Sequence, residues 1–160
     1  MSKLKKFHEN VKIVLLYFGN EYSGYFNEKD NLAIEIANEL KTRKIHGLEI
    51  SRCNSPDEIL KYKNKKILIL DTAKDIEKVV VLEGDEGIRK IKEKKGNLFT
   101  LHDFDLGFFL QLMEKIENNS KEKIRKICNS IKIICIPQKG KKNEIREDVE
   151  AILRKEIIHK

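Results

Sequence analysis

Three nearly unbroken apolar runs constrain the fold of this 160-residue chain more than any other feature of its sequence. The runs are VKIVLLYF at residues 11–18, KKILILD at 65–71 and IKIICIPQ at 131–138. A strand that is buried on both faces of a sheet shows no polar alternation, and such strands are typical of parallel sheets covered by helices. The runs therefore predict a mostly parallel sheet between two helical layers.

The segments between these runs supply helices and further strands. After Asp30, apolar residues recur every three or four positions along NLAIEIANEL, and the same spacing marks NEIREDVEAILRKEIIHK at the end of the chain. GLEISRC and KVVVLE are shorter strand candidates, and SPDEILKY begins like a helix, with Ser55 as cap and Glu58 completing a capping box. We predict one domain over residues 1–160, a three-layer α/β/α fold with a mostly parallel twisted sheet of about five strands.

Charge and hydropathy argue against two classes of partner. The formal net charge is +7, from 33 basic and 26 acidic residues, but the lysines are scattered among the loops rather than gathered on one face with aromatic residues. That pattern is typical of a solvated surface and not of a nucleic-acid-binding protein. No run approaches the roughly 20 apolar residues of a membrane-spanning helix, so we expect no membrane partner.

The three cysteines, Cys53, Cys128 and Cys135, form neither a CxxC pair nor a disulfide framework. A reducing cytoplasm is the simplest compartment for such a chain. Cys53 follows a predicted strand but has no ordered His and Asn to support a nucleophilic role, so we expect it to pack in the core.

Several polar residues follow the predicted strands or precede helices. Gly19 and Asn20 follow the first strand, Asp30 begins the next helix, Asp71 ends the third strand, and His102 opens a later apolar helix. In open α/β sheets ligands bind beyond the carboxyl ends of the strands. Two carboxylates and an imidazole there suit a divalent transition metal such as Ni, Zn or Co. Each also has a simpler explanation: Asp30 as a helix cap, Asp71 as a partner for a loop, and His102 as a structural histidine.

Taken in order, these motifs resemble the hydrogenase maturation endopeptidases, which trim the C-terminal tail of the large subunit of [NiFe] hydrogenases. The matching features are IVLLYFGN followed by Asp30 at a helix head, ILILDTA containing Asp71, LHDFDLGFFLQLM containing His102, and IICIPQ. The resemblance covers nearly the whole chain, up to its final helix.

The resemblance implies that Asp30, Asp71 and His102 bind the nickel carried by the hydrogenase large-subunit precursor, with Zn or Cd as substitutes. Gly19 and Asn20 belong to the adjoining loop of the ligand site. The implied activity is a metal-dependent endopeptidase that removes the precursor's C-terminal extension in the cytoplasm.

The head of the first helix departs from the family pattern. Lys29 precedes Asp30 where an acidic pair is usual, and NLA replaces a glycine-containing stretch. Glu28 or Glu21 is therefore an alternative first ligand. The same departure leaves open a non-proteolytic chaperone that binds metal or precursor on the same fold. A nucleotide-binding domain would need a GxGxxG or Walker motif, and the chain has neither.

Overall fold

The computed structural model of the chain describes residues 13–18, 32–62, 64–83 and 130–159. These residues form the strands β1 (Ile13–Phe18), β2 (Leu48–Cys53), β3 (Lys66–Ala73), β4 (Val80–Glu83) and β5 (Ile131–Pro137). They also form the helices α1 (Leu32–Thr42) and α2 (Lys142–Ile158) and a 3-10 helix, η1 (Pro56–Tyr62). The α/β class predicted from the apolar runs is confirmed. The single domain over residues 1–160 extends past the described ranges and stays a prediction.

The strands form one sheet in the order β2-β1-β3-β5-β4. β1 pairs in parallel with β2 and with β3, and β3 pairs in parallel with β5, whereas β4 is antiparallel to β5. The predicted, mostly parallel five-stranded sheet is therefore confirmed. From β1 the chain continues to β2, which lies on one side of β1, and from β3 it continues to β4 and β5, which lie on the opposite side. The strand order therefore reverses between β1 and β3. In open α/β sheets this reversal opens a crevice beyond the carboxyl ends of the two strands.

Helices α1 and α2 cover one face of the sheet. Their spacing of three and four buries apolar residues against the strands, and the buried set comprises Ala33, Ile34, Ile36, Ala37, Leu40, Ile145, Val149 and Leu153. Each fully buried Leu or Ile contributes about 1.5–3 kcal/mol through the hydrophobic effect. The two helices run in the same direction, because both follow parallel strands.

Ion pairs join α1 to α2 along their outer surface. Arg146 Nη1 lies 2.9 Å from Glu39 Oε2, and Arg43 Nη1 lies 2.8 Å from Glu150 Oε2. Lys142 Nζ lies 2.9 Å from the other oxygen of Glu39. Hydrogen bonds from Lys142 and then Arg146 lower the pKa of Glu39. These partly buried pairs join the two helices at a fixed register, and each adds little stability where solvent still screens it.

On the opposite face of the sheet, η1 is the described element that packs over the strands. Ile59 of η1 is 1% exposed and packs in the same cluster as alternate residues of the central strands: Val14, Leu16, Ile67, Ile69, Ile131 and Ile133. Tyr62 donates a hydrogen bond of 3.1 Å from its hydroxyl to Ser51 Oγ, which fixes the end of η1 to β2. The central strands are thus buried on both faces, as their unbroken apolar runs predict.

Two local predictions need correction. β3 does not end at Asp71 but continues through Ala73, because its pairing with β5 persists to Ala73–Pro137. SPDEILKY folds as a 3-10 helix, in which the Glu58 N–H donates to the Ser55 carbonyl at 3.2 Å. The Glu58 carboxylate accepts its 3.0 Å hydrogen bond from the N–H of Asn54 rather than of Ser55, so the predicted capping box closes one residue earlier.

A cluster of charged side chains closes the edge of the sheet at which the parallel strands begin, here called the amino edge. Lys66 and Lys132 both donate hydrogen bonds to Glu156 near the end of α2, the second at 2.8 Å. Lys132 also lies 3.3 Å from Glu83 at the end of β4. The side chain of Glu156 is only 12% exposed, so this network, the amino-edge cluster, is partly shielded from solvent.

Candidate functional site

Asp71 is the one predicted metal ligand that lies within the described residues. It occupies the carboxyl-terminal part of β3 and is 0% exposed. Its Oδ1 accepts a hydrogen bond of 3.0 Å from the backbone N–H of Thr72. Carboxylates are seldom fully buried unless they are paired, hydrogen-bonded or bound to a metal, so this position is unusual for an acidic residue in an apolar strand.

Asp71 lies beside the reversal of strand order. The recorded pairing of β1 with β3 ends at Tyr17–Leu70, whereas β3 remains paired with β5 through Ala73–Pro137. Asp71 is the first residue of β3 beyond the last pair with β1. The carboxylate is therefore placed where ligands bind in open α/β sheets, at the edge at which the parallel strands end, here called the carboxyl edge.

A row of side chains crosses the η1 face of the sheet at the level of Asp71. The register pairs Phe18 with Cys53 on one side and Asp71 with Cys135 on the other. Alternation along β3 places Asp71 on the same face as Ile69 and Ala73, which belong to the cluster that contains both cysteines. Within the described strands, this row therefore places the Asp71 carboxylate between the aromatic ring of Phe18 and the thiol of Cys135.

Cys135 does not offer a thiolate beside Asp71. It is 0% exposed, and burial followed by the negative charge of Asp71 raises the pKa of its thiol to about 12. A neutral thiol is a poor nucleophile and a poor metal ligand. Of Asp71 and Cys135, only Asp71 provides the negative charge that attracts a divalent metal.

Cys53 packs in the core, as the sequence predicts. It ends β2 at 2% exposure, and burial together with the Glu58 carboxylate raises the pKa of its thiol to about 12. Neither property suits a catalytic cysteine, which needs a lowered pKa and access to solvent.

Thr72 is a polar residue of this region that the sequence did not single out as a site residue. It is 1% exposed, and its Oγ1 has no hydrogen-bond partner within the part of the chain that the structure describes. Its backbone holds Asp71, while alternation directs its side chain to the opposite, helix-covered face. Because Thr72 continues an apolar strand, the periodicity of the sequence did not indicate a role for its hydroxyl.

The other predicted site residues lie outside the described ranges. These are Gly19, Asn20, Asp30 and His102, together with the alternative ligands Glu21 and Glu28. Within residues 13–18, 32–62, 64–83 and 130–159, no group of three His, Cys, Asp or Glu residues is arranged to hold a metal ion. The convergence of Asp30, Asp71 and His102 on one metal stays a prediction.

The structure also contains a cleft that sequence reasoning missed. It has a volume of about 520 Å³ and lies between the turn that precedes β4 and the start of α2. Val79, Pro137 and Ile145 form apolar parts of its lining, and lysines and carboxylates surround them. The cleft brings together residues 77–79 and residues from 137 onward, which lie at least 58 positions apart, so no local motif could have predicted it.

Comparisons with known proteins add little to these observations. No protein-family model matches the chain, and no curated protein matches it. One solved structure that is similar is an uncharacterized protein from Wolinella succinogenes, with 16% identity and a TM-score of 0.47, covering 79% of this chain and 73% of that chain. This likeness is too weak to bear on function. In the described ranges no helix has the length and apolar character needed to cross a membrane.

Proposed function

We propose that this chain is a nickel-dependent endopeptidase that removes the C-terminal extension of a [NiFe]-hydrogenase large-subunit precursor. The observation that carries the proposal is Asp71, a fully buried carboxylate beside the strand-order reversal at the carboxyl edge. It supports the proposal because the sequence resemblance assigns a metal ligand to this residue. The mostly parallel five-stranded sheet is also the fold that the resemblance implies.

In this proposal nickel belongs to the substrate, because the precursor brings it to the site. Asp71 supplies a negatively charged oxygen ligand, and the proposed partners Asp30 and His102 supply a second carboxylate and an imidazole. Carboxylate and imidazole ligands accept nickel well. The Thr72 N–H bond to Oδ1 orients the Asp71 carboxylate, as hydrogen bonds to metal ligands commonly do.

Neither of the two described thiols, Cys53 and Cys135, suits the role of attacking group, and we propose that water attacks instead. Cys53 and Cys135 both have pKa values of about 12, so neither provides a thiolate near neutral pH. Hydrolysis then needs no covalent intermediate. The nickel ion held by Asp71 would select the loaded precursor for cleavage, and free buried thiols suit the cytoplasm as the place of the reaction.

The test combines metal binding with precursor processing. Nickel titration calorimetry and a cleavage assay on nickel-loaded precursor would compare the wild type with Asp71→Asn, Asp30→Ala and His102→Ala. We expect Asp71→Asn to lower cleavage at least a hundredfold, because an uncharged amide is a weak nickel ligand, while its Oδ1 still accepts the Thr72 N–H.

Asp75→Asn is the matched control, since Asp75 is exposed in the turn after β3 and Asn tolerates its positive φ of 62°. It should bind and cleave like the wild type. If Asp71→Asn cleaves as fast as Asp75→Asn, Asp71 is not a ligand and the proposal fails. A wild type that binds nickel-loaded precursor but never shortens it would instead identify a maturation chaperone.

A further inference from the structure

The cleft between the turn before β4 and the start of α2 has an apolar floor that the described residues leave uncovered. Val79 and Ile152 pack against the buried cluster beneath the helices but remain partly exposed, and they line the cleft together with Pro137. The loops that border it, 74–79 and 138–141, both lie within the described ranges. Its volume of about 520 Å³ is within the range of about 300–1,000 Å³ that is usual for ligand sites.

Charged side chains of both signs surround this floor and are here called the rim. Lys78 and Lys139 supply positive charge, and Glu77 and Asp148 supply negative charge. All four residues are exposed, and none forms an ion pair within the described ranges. The rim therefore offers partners to charges of either sign.

This mixture of charges limits what the cleft binds. The phosphates of a nucleic acid or of a lipid surface would be repelled by Glu77, Glu144 and Asp148. A metal ion is not favoured either, since no three His, Cys, Asp or Glu residues in the described ranges are arranged to hold one. A peptide carries apolar side chains and charges of both signs, so it complements the floor and the rim together.

The cleft reaches the carboxyl edge near Asp71. Its lining includes Lys139, which follows β5, and Pro137, which pairs with Ala73 two residues beyond Asp71. With a rise of about 3.3 Å per residue and about 4.8 Å between strands, the backbone of Pro137 lies about 8 Å from that of Asp71. About two or three residues of an extended peptide span this distance. Beyond the end of β5 the sheet no longer separates its two faces, so a peptide can pass from the Asp71 carboxylate to the cleft.

We infer that the cleft binds the precursor peptide about two or three residues from the bond that is cut at the Asp71 site. An apolar side chain of the peptide covers Val79 and Ile152, and neighbouring charged side chains pair with the rim, a basic one with Asp148. This inference rests on the proposed function and adds a surface that contacts the peptide rather than the metal. The residues of the cleft thus contribute to specificity.

The first test fills the cleft. Ala151 is exposed and lines it, so Ala151→Phe places a ring over the floor, and Glu147→Phe, on the same helix but outside the lining, is the matched control. Affinity and KM would be measured on nickel-loaded large-subunit precursor, and thermal unfolding on the free protein. We expect Ala151→Phe to bind the precursor at least about tenfold more weakly than Glu147→Phe, because an apolar side chain of the peptide is no longer buried. Affinity for free nickel should be the same in both.

The second test reverses a charge of the rim. Asp148→Lys and Glu147→Lys change the net charge equally, but only Asp148 lines the cleft. At low salt we expect the KM of Asp148→Lys for the precursor to exceed that of Glu147→Lys by about threefold or more, and this difference to shrink as salt is added. Equal KM values would show that only the overall charge matters and would overturn the assigned contact.

Equal precursor affinity of Ala151→Phe and Glu147→Phe would overturn the inference while leaving the proposed function intact. The inference is also overturned if Ala151→Phe unfolds well below Glu147→Phe, since the chain itself then fills the cleft. Conversion of a wild-type dimer into monomers by Ala151→Phe, seen in sedimentation, would overturn it too, because a second copy is then the occupant. Failure of the proposed function gives a different result, in which the wild type itself neither binds nor cleaves the precursor, and the inference falls with it.

Discussion

The two edges of the sheet hold their carboxylates in different ways. At the amino edge, Glu156 accepts hydrogen bonds from Lys66 and Lys132, and its side chain is 12% exposed to solvent. At the carboxyl edge, Asp71 is fully buried, and its Oδ1 accepts a hydrogen bond from the Thr72 backbone. The neighbouring Thr72 hydroxyl and Cys135 thiol are buried and uncharged.

This difference indicates a structural use of charge at the amino edge, whereas a functional use at the carboxyl edge is what we propose. The amino-edge cluster places opposite charges together, so the end of α2 is held to the starts of β3 and β5. At the carboxyl edge, Asp71 lies beside the buried Thr72 and the buried thiol of Cys135, and metal binding by its carboxylate is what we propose there. The amino edge is therefore expected to govern stability, and the carboxyl edge to govern binding.

The largest expected effect concerns thiol chemistry at the carboxyl edge. With a pKa of about 12, Cys53 is a thiolate in only about one molecule in ten thousand at pH 8. We expect its alkylation by iodoacetamide in the native protein to be at least about a thousandfold slower than in urea. Peptide mass spectrometry would follow Cys53 separately from the other cysteines. Similar rates in both conditions would show that this edge is open to reagents.

A smaller effect is expected from breaking the amino-edge cluster. Glu156→Gln removes the charge between Lys66 and Lys132 and should lower the free energy of unfolding by about 1–2 kcal/mol, because the cluster is only partly buried. Urea denaturation would measure the loss, and the proposed cleavage of the precursor should not change. The control, Glu147→Gln, alters an exposed residue of the same helix and should have almost no effect. A cleavage defect in Glu156→Gln would contradict the division between the two edges.

The smallest effect is the pH dependence of that loss. Burial opposes ionisation of Glu156, but hydrogen bonds from Lys132 and Lys66 outweigh it, so its pKa lies below the ordinary value of 4.5. A carboxyl whose pKa is lowered by folding stabilises the protein fully above its unfolded pKa, and the contribution is lost as pH falls through the folded pKa. The stability difference between wild type and Glu156→Gln should thus be constant near neutral pH and shrink below about pH 4.5. A difference that grows in acid would contradict this assignment.

Much of the fold was predictable because it depends on local patterns. The apolar runs predicted β1, β3 and β5, and the spacing of Ala33, Ile36, Ala37 and Leu40 predicted the buried side of α1. The end of β3 was not predictable, because its last residues, Thr72 and Ala73, are ordered by pairing with residues of β5 that lie 64 positions later in the chain. Local sequence carries no signal of such pairing.

The candidate site divides in the same way. The position of Asp71 on the third strand was predictable because it follows a run of apolar strand residues, whereas its role as a ligand stays a prediction. The packing of Cys53 followed from the general burial of free cysteines. The orphaned Thr72 hydroxyl was not predictable, since threonine is common in strands and only the packed structure shows whether its oxygen has a partner.

The sequence by itself determined the α/β class of the protein, its buried central strands and the placing of Asp71 on one of them, because these depend on hydrophobic periodicity along short stretches. Only the tertiary structure decided the strand order, the pairing of Lys66 and Lys132 with Glu156, and the neighbourhood of Asp71 and Cys135. The physical reason is that these features join residues far apart in the chain. Such contacts are selected by the packing of the whole sheet, and no single segment encodes them.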